Sequence, residues 1–510
     1  MMQLDLDGGP VSLRRIADLA RGPAEIRLSG GVRARLAQAR TVVESYLADG
    51  SVPVYGLNTG LGGNVKYRLK PEEIQPFQEQ MIVGRCIGMG PPLAEPLCRA
   101  VLAARIVGLA QGGSGLSPAL LDLLIAMLKA GVTPVIPSRG SIGAGDLGLV
   151  AHLGAVVIGR GEAWFGGTIL PGAAALAAAG LAPATLGAKD GLGLLNASPV
   201  TTAHGALTLA ALEDLLLQAA ATAALSMEGY AANPAIFDAR LAAARPAGGQ
   251  VAATALFRAL LADSALQAPN AARAIQDALS FRTLGPIFGV AFAALARAAR
   301  EIEVELNGAV DNPLVLIDDG VILSTTNFHT PAIALAFDAL AIALNHLASA
   351  GVQRIQKLMT PHLSGLPKYL SPIGGASNGF NSLQKTASAL YGEIRLKAGP
   401  ASLDAVPVSE IVEDHAPQSL LTISKLAEQM DLFRMLVAIE AMVAAQAADL
   451  RGFHPLGAGS GLIHQAVRSI VPALDTDRET GPDAMKVLAT LTPALAERLR
   501  PLAQPTGCLF

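Results

Sequence analysis

Aromatic side chains are scarce in this 510-residue chain: phenylalanine, tyrosine and tryptophan together make up 4% of it. A large core built without them must be aliphatic, and with 51% hydrophobic residues the composition suits closely packed Ala- and Leu-rich helices better than sheets. The fold class expected is therefore mainly α. Charge is scarce too, at 15% of residues and a net of -3, and no basic cluster stands out, which excludes an electrostatic footprint for nucleic acid. The three cysteines, Cys86, Cys98 and Cys508, form no C-x-x-C pair, so neither a disulfide framework nor a structural metal site is expected. Also lacking is an uninterrupted apolar run of the roughly 20 residues that a membrane span needs. Mean hydropathy is +0.44, yet Ala206 to Leu225 carries Glu213, Asp214 and Gln218, and Pro331 to Leu347 carries Asp338, Asn345 and His346. Helices apolar nearly all round with a few polar breaks belong to the interior of a large bundle or an oligomer core. No membrane partner is expected. The opening MMQLDLDGGPVSL has acidic residues where a secretory leader would be basic, which with the cysteine usage points to the cytoplasm.

What is abundant is glycine and proline, and up to about residue 200 they punctuate the chain in VYGLNTGLGGN, GMGPPL, AQGGSG, VTPVIPSRGSIGAGD and GRGEAWFGG. Short helices such as Gly31 to Ala48 and Glu95 to Ala110 alternate there with loops able to take positive φ. Beyond residue 200 the helical periods lengthen, over 201–229, 250–262, 286–306, 330–358, 380–397 and 418–450. The organisation expected is one continuous fold: a loop-rich N-terminal α part over 1–200, docked on a long-helix bundle over 201–510.

Polar side chains that converge in such loops carry the candidate chemistry. Tyr55 stands ahead of Gly56, Gly60, Gly62 and Gly63, in a stretch too polar for core; it is either a packing tyrosine on a surface turn or a functional hydroxyl. Asn196 interrupts the apolar run GLGLLNASP, and a buried asparagine must find partners, so it caps a helix or faces a ligand. In IQDALSFRTLGP, Gln276, Asp277 and Arg282 break an apolar segment; Arg282 is a carboxylate clamp through its planar fork or half of a structural pair with an acid such as Asp277. Asn307, Asp311, Asn312, Asn327 and His329 crowd the loops between helices, followed by Gln384 and Lys385 on a helix and by Glu413, Asp414 and His415. A lysine and a glutamate in such company suit a buried ion pair, whose main cost is desolvation.

Taken together and in order, YGLNTG, GSIGAGDL with a following AH, GLLN, QDALSFR, N-x-x-x-DNPL, NFH, PHLSGLP, SNGF and EDH resemble the aromatic amino-acid ammonia-lyase family, over roughly residues 10 to 500. The resemblance implies a mainly α homotetramer with a central bundle of long helices of the histidine ammonia-lyase type, and active sites assembled from loops of three subunits. It also implies roles: Tyr55 as the base, Arg282 on the substrate carboxylate, Glu413 as the active-site glutamate, and Asn196, Asn312, Gln276 and Phe328 lining the site.

The departures from the family pattern fall inside that site. The family sequence G-S-x-G-A-S-G-D-L provides an Ala-Ser-Gly that cyclises and dehydrates into an electrophilic methylidene-imidazolone. Here Gly143, Ala144 and Gly145 directly precede Asp146, the loop is one residue short, and the serine is missing; Ser141 matches the earlier serine of the pattern and is followed by Ile142. No cofactor is therefore expected. The electrophile exists to turn a primary amine into a leaving group by capturing its nitrogen lone pair. A quaternary trimethylammonium has no such pair and already departs as a neutral amine, so the expected substrate is a small-molecule betaine. Other departures agree. A Ser-His pair common in the family is Gly84 and Arg85 here, an apolar position is Lys385, and the tyrosine of QD-x-YS is Leu279. Arg85 is a donor to a thione sulfur or part of a surface ion pair, and Lys385, beside Glu413, suits a delocalised ring anion. Phe328 is a cation–π platform for trimethylammonium or simply core. The expected reaction is elimination of trimethylamine from ergothioneine to thiol-urocanate. The alternatives are a lyase for another betaine such as hercynine and a catalytically silent subunit.

Overall fold

The computed structural model describes residues 2–509. The chain forms two compact units. One comprises the sequence up to Ala210 with Ala299–Leu335 and Ala401–Ser424, and the other comprises Ala211–Ala298, Ala336–Pro400 and the sequence from Lys425 onward. Two later segments thus join the N-terminal part that the sequence delimits at about residue 200. Four long helices, Pro199–Tyr230, Leu284–Asn307, Pro331–Leu358 and Ser419–Arg451, contribute residues to both units. Pro199 and Pro331 occupy first helical positions, where the missing N–H has no intrahelical partner to lose and φ is already set.

The first unit is the loop-rich one. Its strands are short: Met2–Leu6 runs parallel to Ala24–Leu28, Met89–Pro92 pairs with Pro137–Arg139, and Thr133–Pro134, Glu162–Phe165 and Thr168–Pro171 form a small antiparallel sheet. The hairpin Leu314–Leu316 and Val321–Leu323 matters most for the site. Val315 and Ile322 from it, Ala39 and Val43 from the helix Gly30–Asp49, Ala188, and Val54 and Leu57 form one buried cluster. Val54 and Leu57 flank Tyr55, so this cluster anchors the tyrosine loop; burying Leu57 alone is worth about 1.5–3 kcal/mol.

The second unit holds most of the ring pairs. Tyr230 stacks on Phe281 at 4.2 Å between centroids, Phe237 on Phe257 at 4.9 Å, and Phe288 meets Phe257 edge-on at 5.2 Å. Long helices there are tied together by Arg354, whose Nε and Nη2 donate to the two carboxylate oxygens of Glu440 at 2.6 and 2.9 Å, with Ser226 Oγ adding 2.8 Å to Oε1. Both charged side chains are buried, and the bidentate geometry offsets their desolvation.

Two helical stretches, Asp190–Tyr230 and Pro331–Leu358, do have the length and hydropathy of a membrane span, where the sequence expectation was that none would. Their most apolar windows are 78% and 61% buried within the chain, as core helices are.

Candidate active site

Tyr55 lies between Val54 and Gly56 in a loop closed by side-chain hydrogen bonds: Val54 N–H donates to Asn58 Oδ1 at 2.8 Å, and Asn58 Nδ2 donates to the Val52 carbonyl at 2.9 Å. The tyrosine hydroxyl accepts the Gly62 N–H at 3.1 Å. The proline at the start of the helix Pro71–Val83 and a capping glutamate, Glu73, fix where that helix begins, and Arg85 follows its C-terminus, reaching back to the Met81 carbonyl at 3.4 Å. Burial pushes the Arg85 guanidinium below its ordinary value, while Tyr55 and Glu413 oppose that push. Arg85, Tyr55 and Glu413 therefore share one electrostatic neighbourhood. Glu413 stands on a hairpin closed by pairing of Val408 with Glu413, and its Oε1 accepts Ser409 Oγ at 2.8 Å. Ser409, Glu410 and Ile411 in the turn all take left-handed φ, of 54°, 56° and 60°. Such a run costs about 1–2 kcal/mol per residue in non-glycine positions.

The altered loop is held on every side. Asp146 is fully buried and accepts Ser141 Oγ at 2.6 Å, Thr201 N–H at 2.8 Å and Thr201 Oγ1 at 3.0 Å. Burial raises its carboxyl while these donors lower it, and burial prevails. Ser141 is thereby committed to Asp146. Gly143 O accepts Thr330 Oγ1 at 3.0 Å, Ala144 pairs with His329, and Gly145 N–H donates to the Phe328 carbonyl at 3.0 Å. Gly143 and Gly145 have φ of +87° and +74°. A Cβ on Gly143 would lie 2.9 Å from both Pro417 Cγ and the Ser419 nitrogen, and one on Gly145 would lie 2.7 Å from Leu147 Cδ1. Gly143 has no room for a side chain, whereas at Gly145 the obstacle is the left-handed φ, since Leu147 Cδ1 is the end of a flexible side chain.

Asn196, buried at the end of the short helix Asp190–Leu195, donates through Nδ2 to the Asn312 carbonyl at 2.6 Å. Asn312 meets it through its main chain, since its side-chain Oδ1 accepts Thr325 N–H at 2.9 Å. Phe328, half-buried, sets its ring 6.4 Å from that of His329, whose Nε2 lies 2.8 Å from His415 Nδ1. Asn307 proves structural, clasping the Val11 N–H and carbonyl at 2.7 and 3.0 Å. The first unit thus brings together Tyr55, Arg85 and Glu413, and separately Asn196, Asn312 and the loop beside Phe328. In the second unit Arg282 is exposed and donates to Gln276 Oε1 at 3.0 Å, while Asp277 accepts the Asn233 N–H instead. Lys385 is exposed on the helix Leu383–Lys397 and makes no ion pair among the described residues. Lys66 went unnoticed in the sequence. It lines, with Tyr55, Thr59, Arg68 and Ser324, a cavity of about 780 Å³, and a lone lysine in a loop carries no pattern that would have singled it out. Among the described residues no group of three metal-ligating side chains occurs.

Residues 11–469 match the family model described as aromatic amino acid lyase. The chain belongs to that family. Among curated relatives of this aromatic amino acid lyase, the histidine ammonia-lyase of Stigmatella aurantiaca is 38% identical over 96% of both chains, and that of Gloeobacter violaceus is 38% identical over 95% of both. Among solved structures, ergothionase from Treponema denticola, in complex with desmethyl-ergothioneine sulfonic acid, superposes with a TM-score of 0.92 at 31% identity, covering 96% of this chain and 98% of its own. The histidine ammonia-lyase of Trypanosoma cruzi superposes at 0.90 with 29% identity, covering 99% and 97%. The lyase therefore has the helical ammonia-lyase fold.

Proposed function

We propose that the protein is a carbon–nitrogen lyase that eliminates trimethylamine from a histidine-derived betaine, ergothioneine first, without a methylidene-imidazolone group. One observation carries this reading: the loop from Gly143 to Gly145 has no serine to dehydrate, and both glycines hold left-handed φ, with Gly143 also closed in by Pro417 and the Ser419 nitrogen. The residues present do not fit the electrophile, so no step is routed through it.

In the proposed reaction Tyr55, as phenolate, removes a β-proton. The C–H pair becomes the Cα=Cβ bond, and the Cα–N pair leaves with neutral trimethylamine, giving thiol-urocanate. The Tyr55 oxygen accepts the Gly62 N–H, and Arg85 stands in the same electrostatic neighbourhood. The carbanion is delocalised into the ring and its sulfur, where Arg85 and Lys385 stabilise it, with Glu413 holding the cations in place. Arg282, steadied by Gln276, binds the substrate carboxylate. Asn196 and Asn312 line the site, and Phe328 offers a ring face to the trimethylammonium. Arg282 and Lys385 join Tyr55 in a homotetramer whose sites draw on more than one protomer.

A second reading, deamination of histidine, is favoured by the names of the sequence relatives. One experiment separates the two. The purified protein is mixed with ergothioneine, hercynine and histidine in parallel, and the acrylate absorbance and released amine are followed. Trimethylamine from ergothioneine supports the proposal, and trimethylamine from hercynine alone moves it to that betaine. Ammonia from histidine overturns it, and silence with all three overturns ergothioneine and hercynine as substrates and leaves another betaine or a subunit without catalysis.

A further inference from the structure

Behind Asn196 lies an ion pair that the proposed reaction does not use. Arg105, on the helix Glu95–Ala110, is 1% exposed. Its Nε donates to the Leu194 carbonyl at 2.9 Å, and its Nη2 donates to the Gly193 carbonyl. Both are carbonyls of the last turn of Asp190–Leu195, which a helix end leaves without intrahelical partners and where a cation is favoured. The same Nη2 lies 3.7 Å from Asp311 Oδ2, and Asp311 is buried as well. Asn196 follows Leu194 by two residues and Asn312 follows Asp311 by one, and these two asparagines are joined by the 2.6 Å hydrogen bond from Asn196 Nδ2 to the Asn312 carbonyl. The links close into a ring: Arg105 to the helix end, the helix end to Asn196, Asn196 to Asn312, Asn312 to Asp311, and Asp311 back to Arg105. Thr325 reinforces the far side, its Oγ1 donating to the Asp311 carbonyl at 3.0 Å and its N–H to Asn312 Oδ1 at 2.9 Å.

We propose that Arg105 is a positioning residue that acts through Asn196, fixing the asparagine amide so that Nδ2 is spent on the Asn312 carbonyl and Oδ1 faces the altered loop. A Cβ built on Gly145 would stand 3.7 Å from that Oδ1, which places the oxygen beside the loop. A guanidinium is required because two adjacent carbonyls and a carboxylate converge on it, and the planar fork serves all three at once where an ammonium on a flexible stem serves fewer. Two neighbouring cations do not substitute. Buried Lys189 spends its Nζ on the Ser114 carbonyl, and half-buried Arg40 is spent on Asp190 and the Ala188 carbonyl.

This proposal rests on the functional reading only in that Asn196 faces the reacting molecule. The test compares Arg105→Lys, which keeps the charge and loses the fork, with Arg105→Met/Asp311→Asn, which removes both buried charges together. Each is made with Asn196 intact and with Asn196→Ala, and kcat/KM is measured on whichever of ergothioneine, hercynine and histidine the wild type consumes. Misplacement of a positioned group by about 1 Å costs on the order of 10²-fold. A loss of that size is expected with Asn196 intact and under about twofold once Asn196 is alanine, because effects passing through one residue are not additive. Equal losses in both backgrounds, or none with Asn196 intact, would overturn the proposal. So would failure of both variants to fold, which would assign Arg105 to stability alone. The wild type's choice of substrate decides the proposed function, and the ratio of the two losses decides the role of Arg105, so each can fail without the other.

Discussion

At the scale of single residues, Tyr55 and Arg85 are the pair on which the proposed chemistry turns. The phenol oxygen accepts the Gly62 N–H, and the guanidinium stands in the same electrostatic neighbourhood. Tyr55→Phe is expected to lower kcat by about 10²–10⁴-fold, the usual contribution of a general base, while leaving the melting temperature within about a degree or two. Retained turnover in that variant would remove Tyr55 from the mechanism. Glu305 offers a separate prediction on stability. Its Oε1 is buried without a partner, and burial, opposed by the Ser198 hydroxyl, raises its carboxyl from 4.5 to about 7. Between those values the folded protein holds a proton that the unfolded chain releases. The stabilisation is complete below about pH 4.5 and is lost as pH rises through 7. Glu305→Gln should therefore gain in melting temperature relative to the wild type as pH increases across that window, and a flat difference would show that the carboxyl is not held protonated. His204 acts with the opposite sign. Burial lowers it from 6.5 to about 4, so its contribution is lost as pH falls through that interval. How much of this was legible beforehand differs by residue. Tyr55 and Glu413 are singled out by motif order and Arg85 as a departure from it, and the three share one electrostatic neighbourhood. Asn312 was found for its side chain and serves Asn196 with its carbonyl, and main-chain use leaves no mark on residue identity.

At the scale of elements, helices were legible and strands were not. The periodicity that predicts 201–229, 330–358 and 418–450 is met by Pro199–Tyr230, Pro331–Leu358 and Ser419–Arg451, because a long aliphatic stripe repeats often enough to be read. The strands escape because none among the described residues exceeds five residues and several contain proline or glycine, too short for an alternation to register. The altered loop lies between these cases: its missing serine is visible in the sequence, whereas the crowding around Gly143 is geometric and is not. Gly143 combines φ of +87° with a Cβ position 2.9 Å from the Ser419 nitrogen, whereas Gly180 combines φ of +71° with open space. Gly143→Ala should thus cost more than Gly180→Ala, which incurs only the left-handed penalty of about 1–2 kcal/mol. Denaturant midpoints of the two variants measure the difference, and equal costs would mean that the Gly143 loop yields readily and has room for a side chain after all.

At the scale of the whole molecule, several large apolar side chains stand exposed among the described residues. Ile275, Leu396, Leu403, Val406, Ile411 and Val412 are between 71% and 90% exposed, and most of them lie close in sequence to Arg282 or Glu413. Apolar side chains next to polar site residues are what a shared interface requires, with the hydrophobic contacts supplying association and the polar groups completing a cavity. If sites are composite, two inactive variants can repair each other. Tyr55→Phe supplies intact Arg282 and Lys385, and Arg282→Met supplies intact Tyr55. After co-expression or joint refolding, random assortment gives about a quarter of the sites one intact copy of each residue, provided that the two come from different protomers. Turnover should then recover to roughly that fraction of the wild-type rate per site. Where both residues of a site come from one chain, every site keeps one defect and mixing restores nothing. The same mixture examined before subunit exchange should be inactive, so the time course of recovery also measures how firmly the protomers hold one another.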